Sequence, residues 1–176
     1  MFRERATVSY AGRFRRRGSN LITLEVMDVR AYSPEDRTAC LAVFDSNTPR
    51  FFDPAERRDF ETFLDAVDCS YFVMEHDGAI AGCGGYAIAE DTSLASLVWG
   101  MVRADLHKLG LGRFLLLYRL REITKAGGVQ LVRLGTSQHA AAFFEKQGFK
   151  VTGTPKDGYA SGMDRIEMMM KLTVCA

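Results

Sequence analysis

The sequence predicts a single mixed α/β domain: a mostly antiparallel central sheet of about seven strands with helices on both faces. Three observations predict it. Strand-like and helix-like patterns follow one another in the order β-α-α-β-β-β-α-β-α-β-β, which mixes hairpins with crossover helices. A nearly continuous apolar strand, 94–102, runs through a short glycine turn into a long helix with apolar residues at core spacing. The chain has 176 residues, 47% of them apolar and 26% charged. A domain of that size buries about 70% of the surface its unfolded chain exposes, so one core is enough and no staple is needed.

The elements follow in order. Thr23 to Arg30 alternate and form the first strand. In Ser33-Pro34-Glu35-Asp36, Ser33 caps, Pro34 sits at the first helical position and two acids occupy the first turn, so a helix runs to about Asp45. Asn47-Thr48-Pro49 is a loop, and Asp53-Pro54 opens a second helix ending near Asp65. Tyr71 to Glu75 and Ala79 to Ile88 are the arms of a hairpin turning at His76-Asp77-Gly78. Gly82, Gly84 and Gly85 inside the second arm mark a bulge or a close backbone approach. Leu94 to Val102 is a strand buried on both faces, and Gly110 to Ala126 a helix closed by Gly127-Gly128. Val129 to Gly135 is a strand and Gln138 to Gln147 a helix stopped by Gly148. Phe149 to Thr152 and Ile166 to Leu172 are the last strands.

Charge is unevenly spread. Residues 1–20 hold six arginines and one glutamate, a net +5, whereas 21–176 carry 17 bases and 21 acids, a net −4. The first twenty residues therefore read as a flexible Arg-rich arm or extension, and 21–176 as the domain; the stretch before Met27 is expected to be either an added extension with Met27 as a working start or an arm that docks on a partner or second subunit. The domain itself lacks the clustered Lys/Arg of a nucleic-acid footprint, which argues against a nucleic-acid partner. Cys40, Cys69, Cys83 and Cys175 form no C-x-x-C pair and no zinc spacing, so reduced, mostly buried thiols and no metal are expected. No apolar run approaches the roughly 20 residues that span a bilayer, and no secretory segment is evident. A cytoplasmic protein without a membrane partner is the expectation.

The chemistry concentrates in His107-Lys108-Leu109-Gly110-Leu111-Gly112-Arg113, between the buried strand and the long helix. Two glycines two residues apart let backbone N–H groups point into one concavity. The helix behind them adds unpaired N–H groups and the positive end of its dipole. Together they suit a pyrophosphate, with His107, Lys108 and Arg113 at the rim. The same residues also suit a plain strand-to-helix turn.

A second segment, Ser137 to Phe149, changes the weighting. With 102–117 it resembles the GNAT N-acetyltransferase superfamily, whose [Gln/Arg]-x-x-Gly-x-[Gly/Ala] motif corresponds to His107-x-x-Gly110-x-Gly112. The family's Phe-Tyr-x-x-x-Gly-Phe pattern corresponds to Phe143-Phe144-Glu145-Lys146-Gln147-Gly148-Phe149. The resemblance covers about residues 27 to 172. It implies a sheet splayed between its fourth and fifth strands, with acetyl-CoA as co-substrate and pantetheine hydrogen-bonded to backbone at Met101 and Val102. The pyrophosphate would rest on Leu109, Gly110, Leu111, Gly112 and Arg113, and the acetyl group would point toward Trp99, Gly100 and Met101. Two positions depart from the pattern. His107 replaces Gln or Arg, and can still donate to phosphate. Phe144 stands where many members carry a Tyr thought to protonate the departing thiolate. General acid assistance is worth roughly 10²–10⁴-fold, but a thiol of pKa about 8.5 leaves tolerably as thiolate.

Transfer to an amine further requires an approach within about 3–3.5 Å and an oxyanion donor, assigned to the Met101 N–H. Glu75, His139, and Ser137 through water are the candidate bases. Each also has an ordinary reading, Glu75 as a solvated strand-end charge and the other two as helix-start residues. Phe52, Tyr86, Trp99 and Asp164 are the candidate acceptor-side residues, with Asp164 either meeting a cationic amine or pairing with Arg165. The expected activity is acetyl transfer to a primary amine on a small molecule or peptide, with a homodimer as a further candidate assembly. The alternative is a sensor or regulatory module that binds acyl-CoA without turnover, which Phe144 keeps in view.

Overall fold

The computed structural model describes residues 8–13, 24–90 and 93–172. The strands are β1 (Val8–Arg13), β2 (Leu24–Ala31), β3 (Ser70–His76), β4 (Ala79–Ile88), β5 (Leu94–Val102), β6 (Leu131–Ser137), β7 (Lys150–Gly153) and β8 (Arg165–Lys171). The helices are α1 (Arg37–Asn47), α2 (Glu56–Asp65), α3 (Leu111–Ala126) and α4 (Ala141–Glu145), with single 3-10 turns at Pro34–Asp36 and Ala104–Leu106. The strands make one sheet in the order β1-β2-β3-β4-β5-β6-β8-β7.

Every pair is antiparallel except β5–β6, and that pair is short. Only Leu94, Ala95 and Ser96 meet Leu131, Val132 and Arg133. Beyond them β5 continues on β4 alone, through Val98, Met101 and Val102. β6 continues on β8 alone, through Leu134 to Ser137. The sheet is therefore splayed where the family resemblance expects it. Helices cover both faces. Cys40, Phe44, Phe60 and Leu64 of α1 and α2 pack with Tyr71, Val73, Cys83 and Met101 on one face. Leu111, Leu115, Leu116 and Ile123 of α3 pack on the other, where Phe143 and Phe144 of α4 join them.

Three local expectations change. Among the described residues the sheet has eight strands, one beyond the expected seven or so, because Val8–Arg13 pairs along β2 from Val8↔Val29 to Arg13↔Leu24. A short edge strand takes its definition from backbone bonds to its neighbour, so its own sequence need show little periodicity. The remainder of residues 1–20, for which flexibility is expected, lies outside the described residues. The first helix begins as a 3-10 turn and becomes α-helical only at Arg37. Asp36 reaches back to accept from the Ser33 N–H at 2.9 Å and from Arg30 Nη1 and Nη2 at 2.6 and 2.8 Å. α4 is shorter than the 138–147 expectation: turns precede it, and the chain leaves it through Gly148 at φ +95°. Phe149 N–H then bonds to Phe144 O at 3.2 Å, which keeps both rings in the core despite the short helix.

Candidate active site

The gap begins at a bulge. Cys83 pairs with Met101 and Gly85 with Val98, so Trp99 and Gly100 together oppose Gly84. An extra residue on one strand bends it and increases its twist, and here it turns β5 away from β6. Trp99 sits at φ +41°, a conformation that bulky residues rarely adopt. Its surroundings hold it there. The Tyr71 hydroxyl donates to Trp99 O at 3.0 Å, and the indole meets Phe60 at 5.0 Å, Phe52 at 6.2 Å and Phe63 at 6.3 Å between ring centroids. Gly100, the next residue, is exposed.

The glycine turn then delivers the chain to α3. Lys108 and Gly110 both take positive φ, +68° and +88°, and no side chain caps the helix at Gly110. The first-turn N–H groups therefore face outward without an intrahelical acceptor. A Cβ at Gly112 would meet only Phe143, at 3.7 Å, so the approach to this end is narrow but not crowded. Lys108, Leu109, Gly110 and Arg113 are exposed around it, and Arg113 Nε donates to Gln147 Oε1 of the segment after α4 at 3.2 Å. An uncapped helix end beside a splayed strand pair fits the pyrophosphate and pantetheine of acetyl-CoA.

Other predicted site residues are engaged within the protein. His107 Nε2 lies 2.9 Å from the Val102 carbonyl, which can only accept, so that nitrogen carries the proton. The same carbonyl accepts from Asn47 Nδ2 at 2.9 Å. Val102 O and His107 thus fasten the end of β5 to α1 and to the glycine turn. Phe144 is half-buried against Phe143 and Phe149. Glu75 accepts from Arg30 Nε at 2.8 Å, beside the Arg30–Asp36 pair. His139 is exposed in the turn before α4. Ser137 is 3% exposed and its hydroxyl has no hydrogen-bond partner among the described residues, at the end of β6. The carboxylate of Asp164 accepts from the Asp157 N–H at 2.9 Å and so closes its own loop, without the Arg165 pairing. Tyr86 lies on the α3 face, against Phe72, opposite Phe52 and Trp99. It is therefore separated from Phe52 and Trp99, because strand alternation puts it on the far side of the sheet.

Two further half-buried titratable side chains, Glu56 and Tyr159, interact electrostatically. Glu56 opens α2, accepting from the Asp53 N–H at 2.8 Å through one oxygen. Burial raises its carboxyl pKa above the ordinary value. Tyr159 belongs to the loop before β8, with its hydroxyl 2.9 Å from where a Cβ at Gly135 would lie, on the splayed part of β6. Burial raises the phenol's pKa, Arg165 lowers it, and the charge of Glu56 raises it further. The loop is rigidly tied: Tyr159 N–H bonds to Met163 O at 3.1 Å, Gln138 Nε2 to Gly162 O at 2.8 Å, and Asp164 N–H to Gln138 Oε1 at 3.0 Å. Asp53-Pro54-Ala55-Glu56 is a capping-box pattern that flags Glu56 as a helix-start residue. Nothing in the sequence marks its relation to Tyr159. Among the described residues no group of three His, Cys, Asp or Glu could hold a metal ion, and no helix is long and apolar enough to cross a membrane.

Known proteins place this geometry. A GNAT-family protein from Desulfovibrio desulfuricans shares the fold with TM-score 0.71 at 24% identity, over 84% of this chain and 99% of that one. The ribosomal-protein-S18-alanine N-acetyltransferase of Escherichia coli follows at TM-score 0.70 and 20% identity, over 85% and 96%. The yncA protein of Salmonella typhimurium, solved with acetyl-CoA, matches at TM-score 0.65 and 18% identity, over 85% and 96%. No curated protein matches the sequence. The model of the acetyltransferase (GNAT) family matches residues 40–149, from α1 through the glycine turn to Phe149. With more than half of its length matched, and with the splayed sheet and uncapped α3 in place, the chain belongs to the acetyltransferase (GNAT) family, whose acyl donor is acetyl-CoA.

Proposed function

We propose that this chain transfers an acetyl group from acetyl-CoA to a primary amine that enters from the α1/α2 face of the splayed sheet. The observation that carries the reading is the parting of β5 and β6 after Ser96 and Arg133, directly beside the uncapped start of α3. What acetyl-CoA supplies is an acyl carbon that an amine nitrogen can attack, with sulfur leaving as thiolate. The chain's own residues do the rest. Backbone N–H groups at Leu111, Gly112 and Arg113, with Lys108 and Arg113 at the rim, hold phosphate. The backbone from Gly100 to Val102 positions the thioester, with the Met101 N–H as oxyanion donor.

The acceptor side is read from what surrounds the gap on the other face. Phe52 and Trp99 supply an aromatic wall, and Glu56 supplies a half-buried carboxylate with one oxygen unused by its cap. Tyr159 supplies a phenol over β6. An aromatic wall with a carboxylate suits a cationic amine, whose proton must be lost before attack. Glu56 is placed to bind that ammonium and Ser137 to relay its proton through water. Either a small molecule or a peptide N-terminus fits this description.

Release of free CoA thiol from acetyl-CoA, measured with a panel of polyamines, amino acids, aminoglycosides and N-terminal peptides, tests the reading. At least one amine should accelerate release well above water alone. Acetyl-CoA binding without release for any amine would replace transfer by the binding-module reading that Phe144 favours.

A further inference from the structure

Arg119 lies on α3 one turn from Leu115 and one turn from Ile123, in the stripe that faces the sheet, and is only 4% exposed. Its only hydrogen bond among the described residues runs from Nε to Leu115 O at 3.3 Å, and it has no carboxylate partner there. The guanidinium presses on the bulge instead. A Cβ at Gly100 would come within 2.5 Å of Nη1 and 2.8 Å of Nη2, and a Cβ at Gly84 within 3.1 Å of Nη1. Two glycines on adjacent strands thus leave the room that the cation fills.

An unpaired buried charge is among the costlier things a core can contain. Burial pushes the Arg119 pKa down to about 10, which still leaves the group charged at neutral pH. The titratable groups that interact with it are the Tyr71 phenol and the Cys83 thiol. Burial raises the Tyr71 pKa further, so the phenol stays neutral and offers no counterion. A stripe that needed only packing would carry Leu or Met at this position. Gly100, against which the guanidinium lies, is itself exposed at the edge of the gap.

We propose that Arg119 is a positioning residue for acetyl transfer, placing a fixed positive charge behind the Gly84/Gly100 bulge to stabilise the negative charge that collects on the departing sulfur. The inference rests on the acetyl-CoA reading given above. In the step it assists, the amine nitrogen forms the C–N bond as the C–S bond breaks. The bond pair leaves on sulfur, and the amine's proton passes to solvent. The guanidinium exchanges no proton. Its field serves a site in which Phe144 has none to give.

The test uses the full chain with Arg119→Met and Arg119→Lys, and three readouts. The first is the Tm of the free protein, which should rise in Arg119→Met because an unpaired buried charge is exchanged for an apolar chain of similar reach. The second is the titration of the thiol of bound CoA, followed by thiolate absorbance. Bound to the parent protein it should titrate below the ordinary value of about 8.5, return toward it in Arg119→Met and stay low in Arg119→Lys. The third is CoA release, with kcat falling roughly 10- to 100-fold in Arg119→Met, less than the loss of a direct oxyanion donor. The acetyl-CoA KM should move little. A lower Tm or a failure to fold in Arg119→Met would make the residue a structural one and overturn the proposal. So would a bound thiol that titrates alike in the parent and in Arg119→Met. A parent protein that binds no CoA at all would instead overturn the acetyl-CoA reading, and this inference with it.

Discussion

The two sides of the β5–β6 gap are built in opposite ways. On the α3 side, β5, the glycine turn and the start of α3 are one continuous stretch, 94–113, and the binding groups proposed there are mostly backbone. On the α1/α2 side, Phe52 and Trp99 come from separate segments and meet only in the folded cluster, and the acceptor site proposed there, with Glu56 and Tyr159, is made of side chains. A backbone site needs only the right turn, so its requirements are glycines at fixed spacing. A side-chain site needs the whole fold, and its residues are free to vary with the acceptor. The first side carries the motif by which the chain resembles its family, whereas the second is where the proposed acceptor would be chosen.

Substitutions can separate the two sides. The largest effect is expected from Phe60→Ala. Phe60 is fully buried, stacks on Phe44 at 5.5 Å and meets Trp99 at a tilt with centroids 5.0 Å apart. Losing the ring should cost about 3–5 kcal/mol in equilibrium denaturation, and the wall behind Trp99 goes with it. If the loss is under about 1 kcal/mol, the aromatic cluster is not what holds Trp99 at positive φ.

Gly112→Glu should act on the α3 side alone. A Cβ there meets nothing closer than 3.7 Å, so the free protein should keep its Tm. The added carboxylate should abolish the stabilisation by acetyl-CoA, which is about 2.7 kcal/mol for a ligand at 100 times its Kd. An unchanged thermal shift would remove the glycine turn from the phosphate site. Glu56→Gln should do the reverse, leaving the acetyl-CoA shift intact while raising the acceptor KM about 10- to 100-fold, or about 1.4–2.7 kcal/mol. A KM that does not move, measured with any amine that turns over, would reduce Glu56 to a helix cap.

The smallest effect is a pH dependence remote from the gap. Burial raises the Asp36 pKa, but the bonds from Arg30 and Ser33 outweigh it and hold the carboxyl below its ordinary value of 3.8. A depressed carboxylate contributes stability above its unfolded pKa and loses it as pH falls through the folded one. The Tm should therefore drop as pH is lowered below about 3.8, and Asp36→Asn should flatten that part of the profile. A profile of the same slope in the variant would assign acid sensitivity to other carboxylates.

Much of this was legible in the residues, and the exceptions share a cause. The apolar run 94–102 and the helix behind it have the bounds expected of them within a residue, because each is long and strongly patterned. β1 and the short α4 depart from expectation, since each is defined by bonds to a neighbour rather than by its own period. The same division governs the site. The glycine turn at Gly110 could be read directly, because a turn into a helix is a local event. Glu75 and Asp164 look like available carboxylates in the sequence, yet Arg30 and the Asp157 N–H occupy them. Tyr86 lies on the face opposite Phe52 and Trp99, which the strand register decides.

By itself, then, the sequence determined the sheet with helices on both faces and the glycine turn that leads into α3, since these depend on residues close together in the chain. Only the tertiary structure decided that the charge of Glu56 is felt at Tyr159, that Tyr71 and the aromatic cluster hold Trp99, and that Arg119 lies behind Gly100 with no carboxylate partner among the described residues. Each of these joins segments far apart in sequence, and such a contact exists only once folding has offset the entropy of bringing them together.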